Sequence, residues 1–235
     1  MENLSNNRNT ARFGYYVSII TTILAVTTFG IAICTPPLSG PFCIDGCFQY
    51  PYNDIISRFP RDYYWMFFAI ILSFSYLIMM LCVHHFTSNE KKLFSLIGVS
   101  FAIISTLILS LDYFVQVSFI QPSLLAGETQ GIAVLSQYNP HGVFIILEEM
   151  GFTTMNISFL CMVPALSNSN RLEKKLRWTF IISFILMLVS LVTVLIVNGI
   201  NREYRFEVII ISITWIELIV TGVLFSNYFK KIKIA

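Results

Sequence analysis

Apolar residues in this chain fall in long, nearly unbroken runs rather than in the alternating or three-and-four patterns of half-buried soluble elements. A helix needs roughly 20 residues to cross a hydrocarbon core of about 30 Å. Six runs reach that length: 15–34, 63–83, 93–120, 142–166, 176–197 and 208–229. The longest joining segments, 35–62 and 121–141, are too short to hold a separate soluble domain. The pattern predicts an all-α polytopic integral membrane protein, a single six-transmembrane-helix bundle. Arg8 and Arg12 precede the first run in the manner of a signal peptide, but the run is longer than a signal core, and Ile33 before Cys34 is a poor lipoprotein cleavage residue. The first span is therefore expected to be retained.

Small and polar residues inside the runs predict how the helices meet, because in lipid association depends on close packing and interhelical hydrogen bonds. Gly14, Ser18, Thr21, Ala25, Thr28 and Ala32 recur at steps of three and four on one face of the first span. Gly98, Ala102, Ser105, Asp112 and Gln116 do the same on the third, with Leu109 interposed. From Phe180 onward the fifth span carries only Ser183, Ser190 and Thr193 as polar residues, which predicts a peripheral position. The third span would extend about 42 Å as a helix, longer than the core. Gln116, Gln121 and Pro122 favour emergence of its outer end into a loop in which 123–138 reads as a short interfacial helix.

Composition narrows the class. Hydrophobic residues make up 56% of the chain and charged residues 12%, and a net charge of +2 excludes an electrostatic nucleic-acid binder. The lipid bilayer is the expected partner. Basic residues sort unevenly: with a cytoplasmic N-terminus, Arg8, Arg12, Lys91, Lys92, Arg171, Lys174, Lys175, Arg177, Lys230, Lys231 and Lys233 lie inside, and Arg58, Arg61, Arg202 and Arg205 outside. Basic segments resist translocation, so both termini are expected in the cytoplasm of a cell membrane. Tyr63, Tyr64, Trp65, Tyr228 and Phe229 mark interfacial span ends.

Four carboxyl groups lie within the spans: Asp112, Glu148, Glu149 and Glu217. No Lys or Arg lies deep in any span, and ionised groups at membrane depth usually mark a site or a buried pair. Counting helical rise from the outer span ends, Glu148 and Glu149 sit roughly 9–10 Å deep, Asp112 about 12 Å and Glu217 about 14 Å. All four belong to the outer half, so three helices can bring them to one cavity. Glu149 lies along a polar stripe with Gly142, Thr153 and Asn156, which makes it the expected pathway residue. Thr214, Glu217 and Thr221 form a stripe on the sixth span. His141 shares a helix face with Glu148. The alternative is structural: the segment 202–207 folds over the bundle and pairs an arginine with Glu148 or Asp112.

His84 and His85 fall at the opposite end from His141, so a three-histidine metal centre is excluded, and neither a metal nor a cofactor is expected. Of five cysteines, Cys82 and Cys161 read as apolar fillers. Cys34, Cys43 and Cys47 lie on the oxidising side, where Cys43 is expected to bond either Cys47 or Cys34. The C-x3-C spacing does not match the C-x-x-C of a redox enzyme. No phosphate-binding loop, dinucleotide fingerprint, nucleophile elbow or zinc-protease string occurs. Three functions are compatible with these residues. The leading one is a small transporter or permeation protein whose outer-half carboxylates bind a proton, cation or small-molecule ligand, with Asp112, Gln116, Glu148, Glu149, Glu217, Thr214, Thr221 and His141 as candidates. The second is a non-catalytic accessory, sensing or assembly subunit. The third is an enzyme acting on a lipid-like substrate through Glu148 or Glu149 with His141.

Overall fold

The structure, a computed structural model, describes residues 2–36, 38–168 and 170–234. Six long helices account for it: α1 Glu2–Cys34, α2 Tyr64–Phe86, α3 Lys92–Val115, α4 Val143–Met162, α5 Arg171–Asn198 and α6 Tyr204–Ile234. All six are long and apolar enough to cross a membrane, so the protein is a multi-pass integral membrane protein built as a helical bundle. No strand occurs among the described residues.

Helices α1, α2, α3, α4 and α6 pack in that order around the bundle, and α1 closes it against α6. The small-residue stripes make these approaches close. A Cβ added to Gly14 would sit 2.9 Å from the Phe229 ring of α6, and one added to Gly98 would meet Met162 Sδ of α4 at 2.8 Å. Hydroxyls then bond across the seams. Ser158 Oγ donates to the Gly98 carbonyl at 2.6 Å and Ser105 Oγ to that of Gly151 at 2.8 Å, joining α3 to α4. Thr106 Oγ1 donates to the Ser73 carbonyl of α2 at 3.1 Å, and Thr21 and Ser75 hydroxyls meet at 2.7 Å between α1 and α2. Such bonds contribute about 0.6 kcal/mol each in a bilayer. Helix α5 packs chiefly on α4 and α6, with 22% of its apolar window buried, the lowest of the six.

One end of the bundle carries a folded cap. Cys43 and Cys47 are disulfide-bonded within it, and Cys34 is a free, exposed thiol. Asp62, nearly inaccessible, accepts from Arg58 Nε at 2.8 Å and Nη2 at 3.2 Å, and from the Tyr138 hydroxyl at 2.9 Å. The carboxylate's hydrogen bond raises the Arg58 pKa further, and burial, with Tyr63 and Asp62 close by, holds the Tyr138 hydroxyl well above the usual phenol range, so it stays a donor. Tyr204 at the start of α6 donates its hydroxyl to the Gln137 carbonyl at 3.0 Å and accepts from Ser39 at 2.7 Å. Its ring lies where a side chain at residue 40 would project: Gly40 has φ +63, and an added Cβ would fall 2.6 Å from the ring. Only glycine fits there.

The third span does not leave the bundle where its polar residues begin. It continues through a π-helical turn, Gln116–Ile120, and an α-helical turn, Gln121–Leu125, with Gln116 and Gln121 buried beneath the cap. In place of a surface-lying helix, 126–142 folds back and includes one helical turn, Ile132–Leu135, whose Ile132 and Ala133 are buried. Gln116 explains the difference: its Nε2 donates to the Leu135 carbonyl at 2.6 Å and its Oε1 accepts from the Gln137 amide at 3.0 Å. A buried amide with both ends satisfied pins the returning segment.

Candidate functional site

Under the cap, four carboxyl groups from three helices form a contiguous cluster: Asp112 of α3, Glu148 and Glu149 of α4, and Glu207 of α6. All four are buried. Glu148 lies at the centre, where its Oε1 accepts from the Tyr113 hydroxyl at 2.7 Å and its carboxyl group faces that of Glu207 within hydrogen-bonding reach. One oxygen on each of the four, Asp112 Oδ2, Glu148 Oε2, Glu149 Oε1 and Glu207 Oε2, has no donor in hydrogen-bonding geometry among the described residues.

A single cation reaches the cluster among the described residues: Arg202 Nη2 forms an ion pair with Glu149 Oε2, and its guanidinium also lies 5.6 Å from the centre of the Phe206 ring. The segment before α6 thus folds onto the bundle as the structural alternative required, but it selects Glu149. Among the described residues Asp112, Glu148 and Glu207 have no basic partner. Several anions cannot share so dry a volume uncompensated.

Two cavities flank the cluster. The first, about 210 Å³, opens beside the cap between His141, Ile146, Ile200, Glu203 and the Glu149–Arg202 pair. The second, about 280 Å³, is an apolar cleft walled by Phe29, Trp65, Phe144 and Trp215, with Ile33 and Val208 at its exposed margin. Its one lining carboxyl group is Glu207. Glu149, Glu148 and Glu207 therefore run as a string of carboxyls from the polar cavity to the apolar cleft. Beneath them Trp65, Tyr113, Phe152 and Trp215 contact one another edge to face, with ring centres 5.1–6.1 Å apart. Tyr76, Phe159, Phe180, Phe225 and Phe229 fill the half beyond.

The remaining sequence candidates lie elsewhere. Glu217, almost inaccessible, stands apart from the cluster and faces the hydroxyls of Ser183 on α5 and Tyr76 on α2, with neither oxygen in a well-formed hydrogen bond. Thr214 accepts from Asn156 Nδ2 at 2.8 Å and so ties α4 to α6, while the buried Thr221 hydroxyl has no partner in hydrogen-bonding geometry among the described residues. His141 is largely exposed, 3.9 Å from Glu203 rather than beside Glu148, and Glu203 also pairs with Arg205 at 2.9 Å. Gln116 serves the cap.

Glu207 is the site residue that sequence reasoning missed. It directly precedes the apolar run at 208 and follows Arg202, Glu203 and Arg205, so it reads as loop. One signal existed: the Thr221–Thr214 spacing, carried back seven residues, lands on Glu207. Among the described residues no three His, Cys, Asp or Glu side chains form a group able to hold a metal ion. No known protein family, curated protein or solved structure matches the chain, so the site is read from its own geometry.

Proposed function

We propose that the protein is a small transport-like membrane protein whose carboxyl string binds a proton, or a monovalent or organic cation, in the outer half of the bilayer. The observation that carries this reading is that, among the described residues, one cation serves four buried carboxyl groups that join two separate cavities. A proton shared between Glu148 and Glu207 relieves their repulsion without a metal, and it links the cleft to the polar cavity. The closely packed aromatic half beyond the cluster supports alternating exposure of a binding site over an open pore.

The first prediction tests this directly. At neutral pH the parent protein in liposomes shows the infrared carbonyl band of a protonated carboxylic acid, and Glu148→Gln and Glu207→Gln each weaken it. Glu203→Gln, in the half-buried ion-pair network with His141 and Arg205, leaves it unchanged. An imposed proton gradient drives proton uptake by the parent and not by Glu207→Gln. A spectrum unaltered by both cluster substitutions, together with no uptake, overturns the proposal.

A second reading, an accessory or assembly subunit, draws support from the Glu149–Arg202 pair, since such pairs commonly fix packing without turnover. A stable partner retained through purification, with no proton flux, would favour it. The lipid-enzyme reading has less support, because His141 stands with Glu203 instead of a cluster acid.

We place the cap outside the cell and both termini in the cytoplasm. Eleven of 15 basic residues lie on the side opposite the cap, and the Cys43–Cys47 disulfide belongs to an oxidising compartment. In a variant with Cys34, Cys82 and Cys161 replaced by Ala, an added Glu128→Cys should react with an impermeant maleimide in intact cells. Asn168→Cys, at an exposed position between α4 and α5, should react only after lysis, and the reverse pattern would invert the topology.

A further inference from the structure

At the end opposite the cap, α5 and α6 leave an open groove of about 830 Å³. Its floor and walls are apolar, with Ile182 and Leu186 on α5 and Ile216 and Val220 on α6, and its mouth carries Arg171, Lys174 and Lys175 with Trp178 one turn further in. Four cations start α5, and they divide into two sets. Arg177 turns inward, its Nη1 donating to the Val163 and Leu166 carbonyls at 3.0 Å each. Arg171, Lys174 and Lys175 are exposed at the groove and have no ion pair among the described residues. The one acid nearby in sequence, Glu173, is occupied by the Ser167 amide and the Asn170 side chain.

We infer that this groove binds one anionic phospholipid, its phosphate held by Arg171, Lys174 and Lys175 and one acyl chain lying along the α5–α6 floor. Charge complementarity selects the headgroup: three unpaired cations converge where a helix enters the interface, and basic pockets of this kind recognise anionic lipid. Length selects the body. From Lys175 to Leu186 the helix rises about 16 Å, close to half of the roughly 30 Å core that one leaflet contributes. Trp178 stands between these regions, at the level where an indole favours the glycerol backbone. The inference is independent of the carboxyl cluster, which lies under the cap.

Native mass spectrometry of the intact protein, titrated in detergent with dioleoyl phosphatidylglycerol or dioleoyl phosphatidylcholine, tests it. We expect one phosphatidylglycerol per chain, bound at least tenfold more tightly than phosphatidylcholine. Each cation removed from the mouth weakens phosphatidylglycerol binding about fivefold, so the triple variant R171A/K174A/K175A loses the preference. K230A/K231A, at the same end but outside the groove, retains it. Val220→Trp, which fills the floor without altering charge, weakens both lipids. Equal affinity for the two lipids or an unchanged preference in the triple variant overturns the inference. So does displacement of phosphatidylglycerol by an equal concentration of inorganic phosphate, which would mark a free-anion site. Efficient crosslinking of Trp178→Cys between two chains also overturns it, by showing a second copy in the groove.

Discussion

Arg202→Met is expected to destabilise the bundle by about 3 kcal/mol, the lower end of the range for breaking a buried ion pair. Glu149→Gln should cost about 1 kcal/mol, the scale of one lost hydrogen bond. The asymmetry follows from exposure: the Arg202 side chain keeps 30% of its surface, whereas Glu149 keeps 8%. Removing the arginine strands a buried anion beside three other carboxyl groups. Removing the anion leaves a guanidinium that can turn to water and remain against Phe206. The double variant Arg202→Met/Glu149→Gln should recover most of the loss. Chemical unfolding of the four proteins in one detergent measures the cycle, and equal costs for the single variants would show that the cluster does not concentrate charge at Glu149.

The second large effect is expected in the cap. Asp62→Ala removes three hydrogen bonds at once, two from Arg58 and one from Tyr138, and leaves the buried Tyr138 hydroxyl without its acceptor. Bonds to a charged group contribute about 1.5–3 kcal/mol, so a loss of about 3 kcal/mol is expected, with Tyr138→Phe costing about 1 kcal/mol. The cap should also open locally, since Asp62, just before α2, holds the segment returning from α3 through Tyr138. Limited proteolysis should then cut the exposed stretch 126–131 faster in Asp62→Ala than in the parent. An unchanged cleavage rate would show that the disulfide loop and Gln116 hold the cap without Asp62.

Residues carrying their own periodic signal were legible in the sequence. Gly14, Ser18, Thr21, Ala25 and Thr28 stand at helical spacing and are buried, because a close helix approach needs small side chains wherever the partner comes from. The peripheral place of α5 follows from an apolar run with few polar residues. The disulfide was half legible: spacing allowed Cys43 two partners, and the fold brings Cys47 to a Cα–Cα distance of 5.9 Å from it while leaving Cys34 free. Glu207 was hidden because helix α6 begins inside a charged segment, where Tyr204, seated between Ser39, Gln137 and Gly40, draws the first turn under the cap.

The sequence by itself determined six spans, the small-residue faces and the burden of carboxyl groups at membrane depth, since each follows from the length, period or composition of one continuous segment. Only the tertiary structure decided which carboxyl groups meet. Equal depth placed Glu217 with Asp112 and Glu148, but α6 turns Glu217 toward Ser183 and Tyr76 and brings Glu207, two to three turns nearer the cap by helical rise, to the cluster. It also decided which carboxyl group takes Arg202, and that Gln116 holds the loop returning from α3. Helical period reports the face a residue occupies on its own helix. The partner across that face depends on how neighbouring helices rotate and tilt to fit their side chains, a choice made by residues distant in the chain.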